Sequence, residues 1–162
     1  MEIRKPFEAG NRTPINHYPC MPTEEICALH IWGRPVKDIA AKDAVLFLWT
    51  TNAHLLEARK VIDAWGFIYK SNFVWRKDKI GLGYYVRTQH EILLIAVRGN
   101  IRTPKPANRP PSVIEAPRRK HSQKPDEVYE LIERMYPGLP KLELFARNTR
   151  PEWASWGNHW AV

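Results

Sequence analysis

Between residues 45 and 97 the hydrophobic period switches back and forth between strand and helix, and this alternation limits the folds open to the chain more than any other feature. Val45 to Thr50 (VLFLWT) is a continuous apolar run of strand length. Ala53 to Trp65 then carries apolar residues at Leu55, Leu56, Ala58, Val61, Ile62 and Trp65, a helical stripe stopped by Gly66. Phe67 to Arg76 and Glu91 to Val97 read as further strands. Strands alternating with helices imply right-handed crossovers and a mostly parallel central sheet covered on both faces, an α/β fold. A chain of 162 residues can bury one such core, so a single domain over 1–162 is expected. No internal repeat or interdomain linker is visible.

Smaller signals fill in the rest. Thr23 to Leu29 reads as a short helix capped by Thr23, with Glu24 and Glu25 near the positive end of its dipole. Asp78 to Arg87 contains Gly81 and Gly83 without a complete G-x-G-x-x-G, so it reads as a mobile loop rather than a dinucleotide turn. Seven tryptophans and 44% hydrophobic residues argue against disorder despite fourteen prolines. No apolar run approaches the roughly 18 residues of a membrane span and no signal peptide opens the chain, so a soluble, cytoplasmic protein without a membrane partner is expected. Cys20 and Cys27 make no C-x-x-C pair and the six histidines form no H-E-x-x-H, so free thiols and no metal are expected.

The formal net charge is +8, and the excess gathers in Arg98, Arg102, Lys105, Arg109, Arg118, Arg119, Lys120 and Lys124 around the proline-rich stretch Asn100 to Ser112. That stretch holds too much proline for a helix or a central strand, so its basic side chains are expected to project from an extended surface segment. Such a cluster can neutralise phosphates, giving salt-sensitive, sequence-independent affinity for nucleic acid. A solvated basic surface is the plainer alternative.

Lys141 to His159 (KLELFARNTRPEWASWGNH) places a short apolar strand directly before a polar, aromatic-bounded loop. Small molecules bind open α/β sheets beyond the carboxyl ends of the strands, where loops supply polar groups on a rigid base. Leu142, Leu144 and Phe145 read as buried strand, while Glu143, Arg147, Asn148 and Asn158 offer acceptors, a guanidinium fork and amides suited to a ribose and an adenine. The segment could equally close the fold with Trp153 and Trp156 as core aromatics.

Upstream, Ser122-Gln123-Lys124-Pro125-Asp126-Glu127 opens the helix VYELIERMY, which turns at Pro137-Gly138 into that strand. The order S-x-K-P-D-E, helix, E-L-F-A-R, W-G-N resembles the adenine methyltransferase family typified by the eukaryotic mRNA methylase large subunit, the MT-A-seventy family. His17-Tyr18-Pro19-Cys20-Met21, VLFLWT, Ala64-Trp65-Gly66-Phe67, Phe73-Val74-Trp75 and Glu91 to Gly99 occur in the family's order, so the resemblance spans about residues 16 to 158.

The resemblance implies a Rossmann-like fold that uses S-adenosyl-L-methionine to methylate the 6-amino group of adenine in nucleic acid, with DNA favoured over RNA. It implies that Lys124 meets the cofactor's carboxylate and that Glu143, Arg147, Asn158 and His159 lie on its ribose and adenosine side. Tyr18, Trp75 and Glu91 match contacts to the acceptor base. On the residues alone, Trp75 serves as well in a core, Glu91 at a solvated strand end and Tyr18 as a loop anchor. Arg102, Lys105, Arg109, Arg118, Arg119 and Lys120 are the candidate phosphate contacts. A homo- or hetero-dimer is left open.

The family's Asp-Pro-Pro-Trp tetrad does not occur in the sequence; the only Pro-Pro pair, Pro110-Pro111, follows Arg109, which cannot accept a hydrogen bond from an amine. The tetrad and its strand are expected to lie upstream of residue 1, so the sheet should lack one central strand. The sequence leaves open a shortened reading of an active enzyme and a catalytically silent, nucleic-acid-binding relative or partner subunit. A basic module unrelated to methylation would explain the charge but not the spacing of Lys124, Glu143 and Asn158.

Overall fold

The structure, a computed structural model, describes residues 20–120 and 123–157. Helix α1 covers Thr23–Cys27; its N-cap is Pro22 and no side chain caps it, so the expected role of Thr23 as cap is not met. Strands β1 (His30–Ile31) and β2 (Arg34–Pro35) form a tight hairpin, with Trp32 and Gly33 at φ 49° and 75°, the pair of positive angles a type I′ turn requires. The short helix α2 (Val36–Ile39) leads to β3 (Ala44–Thr50). A 3₁₀ turn at Asn52–His54 opens α3 (Leu55–Ala64), which buries Ala58, Val61 and Ile62 and ends at Gly66. There follow β4 (Ile68–Arg76), β5 (His90–Arg98), β6 (Val113–Glu115), α4 (Glu127–Met135), β7 (Lys141–Leu144) and β8 (Trp153–Trp156).

The main sheet runs β3-β5-β4-β6, with β5 antiparallel to both its neighbours and only β6 parallel to β4. The expectation of a mostly parallel sheet is therefore corrected to a mixed one. The cause is local: the thirteen-residue connection 77–89 contains no helix to carry a crossover, so β4 and β5 close as a hairpin. β3 and β4, joined by α3, do run in the same direction, as strands linked through a helix should, but β5 lies between them.

Side chains on β3 and β5 alternate between two cores. Leu46, Leu48, Ile92, Leu94 and Ala96 face Ala58, Val61, Ile62 and Trp65 of the α3 side. Phe47, Trp49, Leu93 and Ile95 face Trp75, Ile114 and the α4 residues Val128, Leu131, Ile132 and Met135. A strand buried on both faces reads as an unbroken apolar run, which is why VLFLWT and EILLIAV show no polar alternation. Met21 and Met135 pack in these cores.

β7 and β8 form a separate parallel pair, in register Leu142 to Ala154 and Leu144 to Trp156. The strand β8 is a departure from the polar, aromatic-bounded loop that the sequence suggests after β7. Phe145, expected within the strand, instead takes φ 58° just past its end and is exposed. Leu142, Leu144 and Trp156 nevertheless join the same core as β3, without a backbone ladder between the two sheets. Among the described residues, β3 bonds only to β5 and β7 only to β8, and every residue of β7, like most of β3, is only half buried. Two apolar strands thus each keep an unpaired edge. Among these residues no helix is long and apolar enough to cross a membrane.

Candidate functional site

Trp75 and Glu91 are partners across the β4–β5 ladder, where β5 begins beside the carboxyl ends of β3 and β4. The Glu91 carboxylate accepts hydrogen bonds from Lys77 Nζ at 2.6 Å and from Lys124 Nζ on its other oxygen. Lys124 reaches it from the segment just before α4. Its ammonium also lies 5.3 Å from the Trp49 ring centroid, and Lys77 lies 4.9 Å from that of Trp75. The two indoles meet edge to face at 6.0 Å. Burial works against the charge of Glu91, but Lys124 and then Lys77 outweigh it and hold the carboxyl below its ordinary value. Two ammonium groups on one carboxylate leave the cluster with a net positive charge, and Lys124, 29% exposed, can be reached by an incoming anion.

The same helix start also holds the end of β7. Tyr129 donates to Glu143 Oε1 at 2.8 Å, and burial followed by that bond raises the Tyr129 hydroxyl's pKa, keeping it a donor. Tyr129 packs edge to face on Trp153 at 5.2 Å. Arg150 lies over the Tyr129 ring and pairs with Glu133, which also accepts Trp153 Nε1 at 2.8 Å. α4 therefore joins the Glu91 cluster to Glu143 near the carboxyl end of β7 and to Trp153 at the amino end of β8. Just past the carboxyl ends of the two strands, Gly157 passes so close to Ala146 that a Cβ would lie 2.4 Å from its nitrogen, so only a bare backbone fits.

The expected residues distribute unevenly. Lys124, Glu91 and Trp75 come together; Trp75 is 2% exposed, bonded through its indole N–H to Ala116 O, and so forms the floor of the cluster rather than its surface. Glu143 is in place on β7, and Arg147 stands exposed just beyond it. Tyr18, Asn158 and His159 lie outside the described residues. Of the basic candidates, Arg102, Lys105, Arg118 and Lys120 are exposed. Arg119 pairs with Asp126. Arg109 is exposed yet turned back on its own loop, donating to Pro104 O and Thr103, and one 3₁₀ turn at Pro106–Asn108 interrupts the extended segment expected there. Arg98 stacks on Phe67 and donates to Lys37 O.

Sequence reasoning missed Lys77, Trp49 and Tyr129. Period two already put Trp49 on the face of Phe47, and Tyr129 and Glu133 share a helical stripe offset from the apolar one, so the signals were present.

A Lys–Glu–Trp cluster at strand ends, linked by one helix to an acidic residue on the separate β7–β8 pair, does not by itself name a ligand. The MT-A70 family model matches residues 10–159. The chain belongs to the MT-A70 family. It is 37% identical over 141 residues to the type II methyltransferase M.MunI of Mycoplasma sp, covering 86% of this chain and 58% of that protein. It is 36% identical over 132 residues to the N(6)-adenosine-methyltransferase subunit METTL3 of Danio rerio, 74% of this chain and 22% of that one. With the catalytic subunit METTL3 of Homo sapiens the figure is 35% over 128 residues, 72% and 22%. The chain thus spans just over half of the first relative and about a fifth of the others. All three relatives are named as methyltransferases, and this chain shares only part of the length of each.

Proposed function

We propose that this chain forms the cofactor- and acceptor-binding part of a Rossmann-like methyltransferase that acts on the 6-amino group of adenine in nucleic acid, DNA being the expected polymer. The observation that carries the reading is Lys124: a part-exposed ammonium, held by Glu91 over Trp49, at the start of the helix that also holds Glu143. The residues fit S-adenosyl-L-methionine. Lys124 offers its carboxylate a charge-assisted hydrogen bond, Glu143 offers acceptors to ribose hydroxyls, and the Gly157–Ala146 crossing leaves only backbone at the strand ends. The cofactor, when bound, supplies a methyl carbon on a positively charged sulfur.

The adenine amine has its lone pair delocalised into the ring and is a poor nucleophile until its hydrogens are accepted by a carboxylate or carbonyl. A bound cofactor would supply the methyl group and keep the electrons of its broken bond to sulfur, while the protein's own part would be to hold the base and offer an acceptor for the amine proton. Glu91 is engaged by two lysines and kept ionised, so it holds those lysines in place rather than taking up that proton. The Asp-Pro-Pro-Trp carboxylate, which belongs on a strand between β3 and β7, would be the acceptor. The unpaired edges of those two strands support this placement.

The test is transfer of tritium from labelled cofactor to adenine-containing DNA by the chain joined to an upstream strand bearing that tetrad. DNA with purine in place of adenine should accept nothing. Equal labelling of both would overturn the reading.

A further inference from the structure

The connection between β4 and β5 exposes more apolar surface than any other segment described. Ile80, Leu82, Tyr84, Tyr85 and Val86 are each between 64% and 102% exposed. Such a patch is costly in water and marks a binding surface. The segment is held in shape. Lys77 N donates to Gln89 O at 2.8 Å, Gln89 Nε2 returns a bond to Lys77 O at 3.1 Å, and Gly81 N donates to Thr88 O at 2.8 Å. At the tip a Cβ on Gly83 would lie 1.9 Å from Val86 O, so the turn that presents the two tyrosines demands glycine. Tethers at the neck and a glycine turn at the tip are what a projecting probe needs.

Its surroundings are basic. Lys79 and Arg87 flank the tip and are exposed. At its root, Asp78 accepts Arg118 N at 2.7 Å, which brings the Arg118, Arg119 and Lys120 stretch alongside. A cleft of about 250 Å³ lies there, lined by Arg76, Lys77, Asp78, Glu115, Ala116 and Pro117. The neck ends at the Glu91 cluster: Lys77 belongs to both, and Gln89 stands two residues before Glu91. Aromatic faces with no sequence preference, set among cations beside a base-modifying site, suit unpaired bases and their phosphates better than an apolar protein surface.

We propose that the tip Lys79–Arg87 receives the unpaired bases beside the target adenine, with Tyr84 and Tyr85 stacking on them and Lys79, Arg87 and Arg118 meeting phosphates. This rests on the nucleic-acid reading given above. A base presented for methylation leaves its stack, and stacking of its neighbours on the tip offsets part of that loss.

The experiment uses the whole chain, a fluorescein-labelled single-stranded oligonucleotide and a second oligonucleotide carrying 2-aminopurine. The wild-type chain should bind and quench 2-aminopurine. Tyr84→Ala with Tyr85→Ala should weaken binding at least about tenfold and abolish the quench, while Tyr84→Phe with Tyr85→Phe retains both. An abasic strand of equal length should not distinguish the alanine variant from wild type. Both tyrosines are almost fully exposed, so the variants keep their packing, which circular dichroism verifies. Equal binding by the alanine variant, or an equal loss on the abasic strand, overturns the proposal while leaving the function reading intact. Lowered self-association by sedimentation, with oligonucleotide affinity unchanged, overturns it in favour of a protein interface. No binding by the wild-type chain defeats the function reading, and the tip proposal with it.

Discussion

Glu91 and Lys124, 33 residues apart in sequence, share a part-buried ion pair that anchors the start of α4 to the start of β5. Removing Lys124 does not strand Glu91, because Lys77 remains on its other oxygen. Lys124→Ala should therefore cost little stability, yet weaken S-adenosylmethionine binding by about 1.5 to 3 kcal/mol, the scale of a lost charge-assisted hydrogen bond. Calorimetry on a form that includes the tetrad strand measures it. Unchanged affinity would take Lys124 out of the cofactor site.

The basic stretch gives a prediction sharpened by the structure. Arg119 is already paired with Asp126, so neutralising Arg118, Arg119 and Lys120 together should remove about two counterions' worth of salt dependence on duplex DNA, a slope change of roughly 1.8 rather than 2.7. Anisotropy titrations across a range of salt read the slope. An unaltered slope would make this stretch solvated surface only.

Glu133 sets a pH response. Hydrogen bonds from Arg150 first and Trp153 second push its carboxyl down to about 2 from an ordinary 4.5. A carboxyl lowered on folding contributes stability that is complete above its unfolded value and is lost as pH falls through the folded one. Urea midpoints should fall as pH drops from 4.5 towards about 2, and Glu133→Gln should flatten that fall. The pair is half exposed, so the effect is modest. Coincident curves for the two proteins would assign the acid response to other carboxylates.

Among the described residues β3 and β7 each keep an open edge, which predicts poor stability or self-association of the isolated chain, since unpaired backbone on apolar strands recruits other chains. Adding the upstream strand should slow amide hydrogen exchange in β3 and β7 together and leave β4 unchanged. The isolated chain should transfer no methyl group. Clear turnover of tritiated cofactor by it would mean that some group other than the tetrad Asp accepts the amine proton.

Period and punctuation made most elements legible: the α3 stripe ended by Gly66, the unbroken apolar β3 and β5, and the α4 helix after Pro125 all formed where the pattern put them. What failed was neighbourhood. A strand's residues encode its two faces but not which strand lies beside it, so the antiparallel insertion of β5 between β3 and β4 was invisible. β6 and β8, three and four residues long, are too short to establish a period. The candidate site divided in the same way: family motifs singled out Lys124 and Glu143 as candidates. The ion pair that unites Lys124 with Glu91, and the Tyr129 bond to Glu143, depend on how α4 docks, which no local window contains.

The crossing of Gly157 over Ala146 ties together the residues just past the carboxyl ends of β8 and β7, so that the connection 145–152 and β8 lie within one loop, which Ala146 N closes by donating to Trp156 O at 3.0 Å. Residues inserted between these clamped ends lengthen a loop that is already closed. Each doubling of such a loop adds only about 0.6 kcal/mol of closure entropy. Length variation can therefore accumulate at this rim while the strand ends beneath it keep their spacing, which makes it the place where a graft or a natural insertion would retune the ligand without disturbing the fold.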